Sequence, residues 1–110
     1  MKTQDLFNRF VKGKYEVKKI EIASCFIDKN AVYSYGYHFP LSVRLKDSNG
    51  KFIFLVNRDK YSRTTSKHQS WLNQELKGFE VIDANTEILK EVIAKGIATH
   101  DALLIEELGV

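Results

Sequence analysis

"KFIFLVNRDKYSRTTSKHQSW", Lys51 to Trp71, runs from the chain's most hydrophobic strand-like piece straight into a segment crowded with anion-binding groups. Five aliphatic hydroxyls, on Ser62, Thr64, Thr65, Ser66 and Ser70, are interspersed with Arg58, Lys60, Arg63, Lys67 and His68. Ser66-x-x-Gln69 has the spacing of a capping box, in which two polar side chains satisfy unpaired backbone N–H groups at a helix start. Trp71, Leu72 and Leu76 then recur along one side of that helix, Trp71 among them as a core residue, and Gly78 supplies a stop. The segment therefore reads as strand, loop and helix N-terminus. A helix N-terminus carries unpaired donors and partial positive charge, so it attracts phosphate or carboxylate. Cations such as Lys67 and His68 are unfavourable there unless an anion offsets them. Capping uses one or two of the five hydroxyls, which leaves Arg58, Lys60, Tyr61, Arg63, Thr64, Thr65, Ser66, Lys67 and His68 as a candidate binding surface. An internal hydrogen-bond network through Thr64, Thr65, His38 and Tyr61 is expected to order it, since buried polar groups need partners.

Outward from this segment, Tyr15 to Asn57 is dominated by β-branched and aromatic residues, in the pieces "YEVKKIEIASCFI", "AVYSYGYHF", "LSVRLKD" and "KFIFLVN". Asn49-Gly50 is a preferred pair for a tight hairpin turn between the last two. The middle of the chain is thus an antiparallel meander. Before it, "TQDLFNRFVKG" offers Thr3 as an N-cap, Leu6, Phe7, Phe10 and Val11 at helical spacing, and Gly13 as a stop. After Gly78, "FEVIDAN" reads as a strand and "NTEILKEVIAKG" as a helix capped by Asn85 with Ile88, Leu89, Val92 and Ile93 facing inward. "THDALLIEELGV" reads as helical, with strand pairing of "ALLIEEL" as the alternative. The expected fold is α+β: an antiparallel sheet of four to six strands with helices packed on one side, in a single domain spanning residues 1–110.

Composition narrows the chemistry. With 110 residues, 44% hydrophobic and 28% charged, the chain has the makeup of one globular domain. Its net charge of +3 is unevenly spread: Met1 to Gly78 holds 15 Lys and Arg against 7 Asp and Glu, and Phe79 to Val110 holds 2 against 7. Such polarity can turn a basic face toward a polyanion. Cys25, the single cysteine, sits in the apolar run "IASCFI" and reads as a buried thiol. The N-terminal segment is interrupted by Asp5, Asn8 and Arg9, which disfavours a signal peptide or membrane helix and gives the cytoplasm as the expected compartment. Cys25, His38, His68, His100 and the carboxylates lack metal-ligand spacing, and there is no Gly-rich phosphate loop, so no metal or cofactor is expected.

The segment Tyr61, Ser62, Thr64, Thr65, Ser66, His68 and Gln69, a Y-S-x-T-T-S-x-H-Q pattern, together with Ser34, Tyr35 and Pro40 upstream, resembles a group of small uncharacterised proteins of bacteriophages and other mobile elements. The resemblance covers Tyr33 to Trp71 and implies a setting in which small domains bind nucleic acid or disable a host defence complex. The function expected on that basis is a non-enzymatic protein that binds a nucleic-acid-handling host complex, as an anti-defence (anti-CRISPR-like) inhibitor. Two alternatives stand beside it. One is direct RNA or DNA binding, for which alternating Tyr33, Tyr35, Tyr37 and Phe39 would give a stacking platform if exposed and a core stripe if buried. The other is a metal-independent nuclease in which His38 and His68 exchange protons with a phosphodiester while Arg58 or Arg63 holds the phosphorane. Only His68-Gln69-Ser70 fits the H-x-[ST] motif of two-histidine phosphoesterases; His38-Phe39-Pro40 does not.

Overall fold

The computed structural model describes residues 3–13, 20–22, 24–28, 30–46, 50–96 and 103–104. Helix α1 (Thr3–Lys12) leads into β1 (Ile20–Ile22), β2 (Cys25–Asp28), β3 (Ala31–Ser34), β4 (Pro40–Lys46) and β5 (Phe52–Asn57), neighbours in that order and antiparallel throughout. The chain then crosses through α2 (Arg63–Glu75) to β6 (Glu80–Ala84), which lies parallel to β5. Helix α3 (Thr86–Gly96) follows, and β7 (Leu103–Leu104) pairs in parallel with Leu45 and Lys46 of β4. The fold is α+β, with a mixed and mostly antiparallel sheet. Leu103 and Leu104 pair as a strand, the alternative for that segment; the rest of it, Tyr15–Lys19 and Asp47–Asn49 lie outside the described residues. None of the described helices is long and apolar enough to cross a membrane.

Local signals account for most of the elements. Leu6, Phe7, Phe10 and Val11 recur at i, i+1, i+4 and i+5, and all four are buried. Gly13 ends α1 in the left-handed region, at φ 67, and its missing side chain admits Arg44: a Cβ would stand 2.7 Å from that guanidinium. Side chains of α1 reach α2 directly, Asn8 Nδ2 donating to Glu75 Oε1 at 2.8 Å and Gln4 Nε2 to Gln74 Oε1 at 3.2 Å. The expected Asn85 cap is present, its Oδ1 accepting the Ile88 N–H at 2.9 Å.

Two expectations are corrected. The helices do not share one side of the sheet. Cys25, Ile27, Val32, Phe54 and Val56 pack with α1 and α2, whereas Phe26, Tyr33, Val43, Leu45, Ile53 and Leu55 pack with Leu89 and Val92 of α3. Alternate residues of a strand face opposite ways, so the uninterrupted run Phe52–Val56 buries both faces and needs cover on both. Among the predicted inward residues of α3, Ile88 is 38% exposed. Leu89 and Val92 reach the core.

The predicted strand "AVYSYGYHF" also stops early, at Ser34. Val32 pairs with Ser42 but Tyr33 with Pro40, so Leu41 is an extra residue on β4. This bulge suits a proline, which has no N–H for a regular ladder. It also turns Leu41 toward α1 and α2, away from the face that Val43 and Leu45 share. Beyond it the chain reverses: Tyr35 adopts φ 70, Phe39 N–H bonds to Gly36 O at 3.2 Å, and Ser34 N–H to Phe39 O at 3.1 Å. The four rings therefore do not line one face. Tyr33 and Phe39 are buried, while Tyr35 and Tyr37 are exposed on the connection.

Candidate binding site at the N-terminus of helix α2

The hydroxyl-rich segment forms the link between β5 and α2 together with the first two turns of α2. Helix α2 begins one turn earlier than Ser66 predicts. Its N-cap is Ser62, in extended conformation at φ −150 and ψ 170, with its Oγ accepting the Thr65 N–H at 3.1 Å. Gln69 closes no capping box. Its buried amide donates to Asn57 O at 3.0 Å and Asp59 O at 2.8 Å, binding the β5–α2 link to the second turn of α2. Asn57 adds to the clamp, its Nδ2 donating to Pro40 O and Thr86 Oγ1 and its Oδ1 accepting the Asp59 N–H. The Asp59 carboxylate accepts the Thr86 N–H at the start of α3, a bond that holds its pKa below the usual carboxylate value.

Thr65 and His68, one turn apart on α2, point inward onto Ser34 at the end of β3. Ser62 Oγ donates to Thr65 Oγ1 at 3.1 Å, Thr65 Oγ1 lies 3.2 Å from Ser34 Oγ, and Ser34 Oγ lies 3.0 Å from His68 Nδ1. One ordering gives each of the three hydroxyls an acceptor for its proton: Ser62 donates to Thr65, Thr65 donates to Ser34, Ser34 donates to Nδ1, and the imidazole carries its proton on Nε2. Burial holds the His68 pKa below its ordinary value, with Lys67 adding to the effect, so the neutral acceptor form required by this chain is the favoured one. The expected network therefore exists with different members: Thr65 belongs to it, Thr64 is exposed on the first turn, and Ser34 is at its centre.

His38 and Tyr61 form a separate pair on the rim. His38 Nε2 lies 3.2 Å from the Tyr61 hydroxyl, and the Tyr61 ring stacks on Phe39 at 5.2 Å. Tyr35, held by its N–H on Ser24 O at 2.6 Å, places its ring 6.1 Å from that of His68. Tyr37 belongs elsewhere. Its ring meets Phe26 and Tyr33 on the α3 face and its hydroxyl donates to Asp28. Trp71, expected in the core, is half-buried at the margin of the α1–α2 cluster, beside His68.

Of the predicted cations, Arg58 is committed: its Nε donates to Asp83 Oδ1 at 2.7 Å and its Nη1 to Asn73 Oδ1 at 3.1 Å. Lys60, Arg63 and Lys67 are exposed, and Ser66 is half-buried between them and the core. The first turn of α2 contains no acidic residue. The site thus has a sealed inner layer, Ser34, Thr65 and His68, and an outer layer of Tyr35, Tyr61, His38, Arg63, Thr64 and Lys67. Sequence reasoning placed Tyr35 in a strand and gave Ser34 no role at the site. Their only signal was membership, with Pro40, in the upstream part of the stretch that carries the resemblance. That part meets the downstream one here, through Ser34 on Thr65 and Pro40 O on Asn57.

Compared with protein-family models, curated proteins and solved structures, the chain matches none.

Proposed function

We propose that this is a non-enzymatic protein whose Tyr35–Tyr61 end binds a nucleic-acid-handling complex of a host cell, with inhibition of a host defence as its role. The observation that carries the reading is the outer layer of the site: two exposed tyrosine rings, one by His68 and one just before α2, with Arg63 and Lys67 exposed in the first turns of a helix whose start lacks an acid. Tyrosine and arginine are the residues from which binding hot spots are most often built. Basic charge beside them adds attraction to a polyanionic assembly. The likeness to phage proteins supports placing that assembly in host defence.

The nuclease alternative fares worse. Proton exchange with a phosphodiester needs two imidazoles that reach one phosphate, one of them protonated. His68 is 5% exposed, its Nδ1 is engaged with Ser34, and burial favours its neutral form.

The test is infection of a defended host expressing either the parent protein or the triple variant Tyr61→Ala, Arg63→Ala, Lys67→Ala. The parent restores plaque formation and co-purifies with the defence complex; the triple variant, folded by circular dichroism, does neither. Equal behaviour of the two proteins refutes the assignment of this end.

A further inference from the structure

We infer that the chemical ligand of this end, on the reading just given, is single-stranded nucleic acid: bases stack on Tyr35 and Tyr61, and Arg63 and Lys67 take the phosphates. The argument begins with the backbone of Tyr35. At φ 70 residues with a Cβ are disfavoured, asparagine least and bulky ones most, whereas glycine fits without strain. The path itself is imposed from both sides, by Ser34 anchored on Thr65 and His68 and by the Tyr35 N–H on Ser24 O. The tyrosine side chain does not earn its place by burial, because it is 49% exposed. A strained, outward-held ring is the kind of feature that persists at ligand contacts.

Tyr61 is prepared in a different way. One side of its ring lies on Phe39, at an interplanar angle of 28°, and its hydroxyl is bonded to His38, so the ring is fixed while 55% exposed. A rigid aromatic face open to solvent is a stacking platform that tolerates any base. Arg63 and Lys67 stand four residues apart, on one side of α2. Asp59, the acidic residue nearest to them in sequence, has its carboxylate bonded to the Thr86 N–H at the start of α3. Among the described residues, the other large exposed hydrophobic side chains are Tyr37, whose ring lies against Phe26 and Tyr33 on the α3 face, and Phe79, Val81 and Ile88, in and beside β6 and α3. This end therefore offers π faces and cations without the aliphatic anchors of a protein–protein core. Stacking on side chains needs unpaired bases, which a duplex does not present.

The experiment measures fluorescence anisotropy of labelled oligothymidylate and oligouridylate of about a dozen nucleotides, and of a duplex of equal length, across a salt series. The single strands bind about ten-fold more tightly than the duplex. Tyr61→Ala and Tyr35→Gly each weaken single-strand binding on the order of ten-fold, and Arg63→Ala and Lys67→Ala each lower the slope of log affinity against log salt by about 0.7. Tyr35→Gly installs the residue that the backbone prefers, so its melting temperature is not reduced and its weaker binding is not misfolding. Tyr35→Phe keeps the ring and stays near parental affinity. Absence of parental binding to any oligonucleotide at low salt, equal affinity for duplex, or parental affinity in Tyr35→Gly each overturns the inference. If it falls while the triple variant still loses its infection phenotype, the end contacts protein and the broader reading survives; if that phenotype is also unchanged, both fall.

Discussion

Beneath α3 the sheet presents Phe26, Tyr33, Val43, Leu45, Ile53 and Leu55, whereas beneath α1 and α2 its apolar residues are interrupted by Ser34, Ser42 and the inward-pointing Thr65 and His68. The α3 side is sealed mainly by surface burial, which is strong but non-directional, with hydrogen bonds from Asn57 and Asp59 meeting α3 at its first residue, Thr86. Burial drives the α2 side too, through Phe7, Phe10, Phe54 and Leu72, but a seam of hydrogen bonds crosses it. Such bonds add little net energy when made and cost much when one partner is missing. Sliding α2 along the sheet would leave Ser34, Thr65 and His68 unsatisfied. The seam thus sets where α2 sits, and with it where Ser34 hands the chain to the strained Tyr35. The apolar side supplies stability; the polar seam supplies position, and position is what the outer layer of the site requires.

Four measurements can break or sharpen that contrast. The largest effect is expected from Phe54→Ala, which empties a fully buried ring site packed against Phe10 and Phe79. Denaturant unfolding should show a loss of about 3–5 kcal/mol. A loss no greater than that of the polar variants would remove the division between burial and positioning.

Next comes Thr65→Val, similar in shape but lacking the hydroxyl between Ser62 and Ser34. It should cost about 1–3 kcal/mol. Adding Ser34→Ala should then cost less than Ser34→Ala does alone, because the two residues share one network. Strict additivity would mean that the hydroxyls act independently.

The third measurement separates two serines with the same local credentials. Ser62→Ala removes the observed cap and should cost about 1 kcal/mol. Ser66→Ala, one turn inside the helix, should stay within about 0.5 kcal/mol of the parent. The reverse ranking would move the helix start back to the position that sequence spacing favoured.

The smallest effect is a slope with pH. His68 has a folded pKa below its ordinary value of 6.5, so below that value the unfolded chain binds a proton that the native state resists. Stability from this residue is complete above pH 6.5 and declines as the pH falls toward the folded pKa. Unfolding midpoints between about pH 7 and pH 5 should therefore fall more steeply for the parent than for His68→Gln. Parallel curves would mean that His68 titrates alike in both states.

Much of the fold was legible because its signals are local. Four apolar residues at helical spacing fix the buried side of α1, Gly13 and Gly78 stop their helices at positive φ, and Asn85 caps α3. The β-rich middle gave its antiparallel meander for the same reason. Errors fell where two local readings were equally good. Ser62-x-x-Thr65 and Ser66-x-x-Gln69 each place a hydroxyl three residues before a side chain that can bond, and Gln69 is committed instead to carbonyls of the preceding link. The alternating tyrosines read as a strand until a bulge at Pro40 and the reversal at Tyr35 ended it.

The sequence by itself determined much of the composition of the site: hydroxyls, cations, Tyr61 and His68 in a stretch that joins a core strand to a helix, with Tyr35 and His38 on an earlier segment. Only tertiary structure decided which of them face outward. Side chains as close in sequence as Thr64 and Thr65, or Lys67 and His68, differ by about 100° around a helix, so small differences in its placement exchange exposed groups for buried ones. That placement is set by Ser34, more than thirty positions earlier in the chain, whose Oγ lies 3.2 Å from Thr65 Oγ1 and 3.0 Å from His68 Nδ1. It is set also by Asp83, which takes Arg58 out of the basic surface. Both are long-range pairings, and no local pattern of residues encodes the distance between such partners until the sheet has folded.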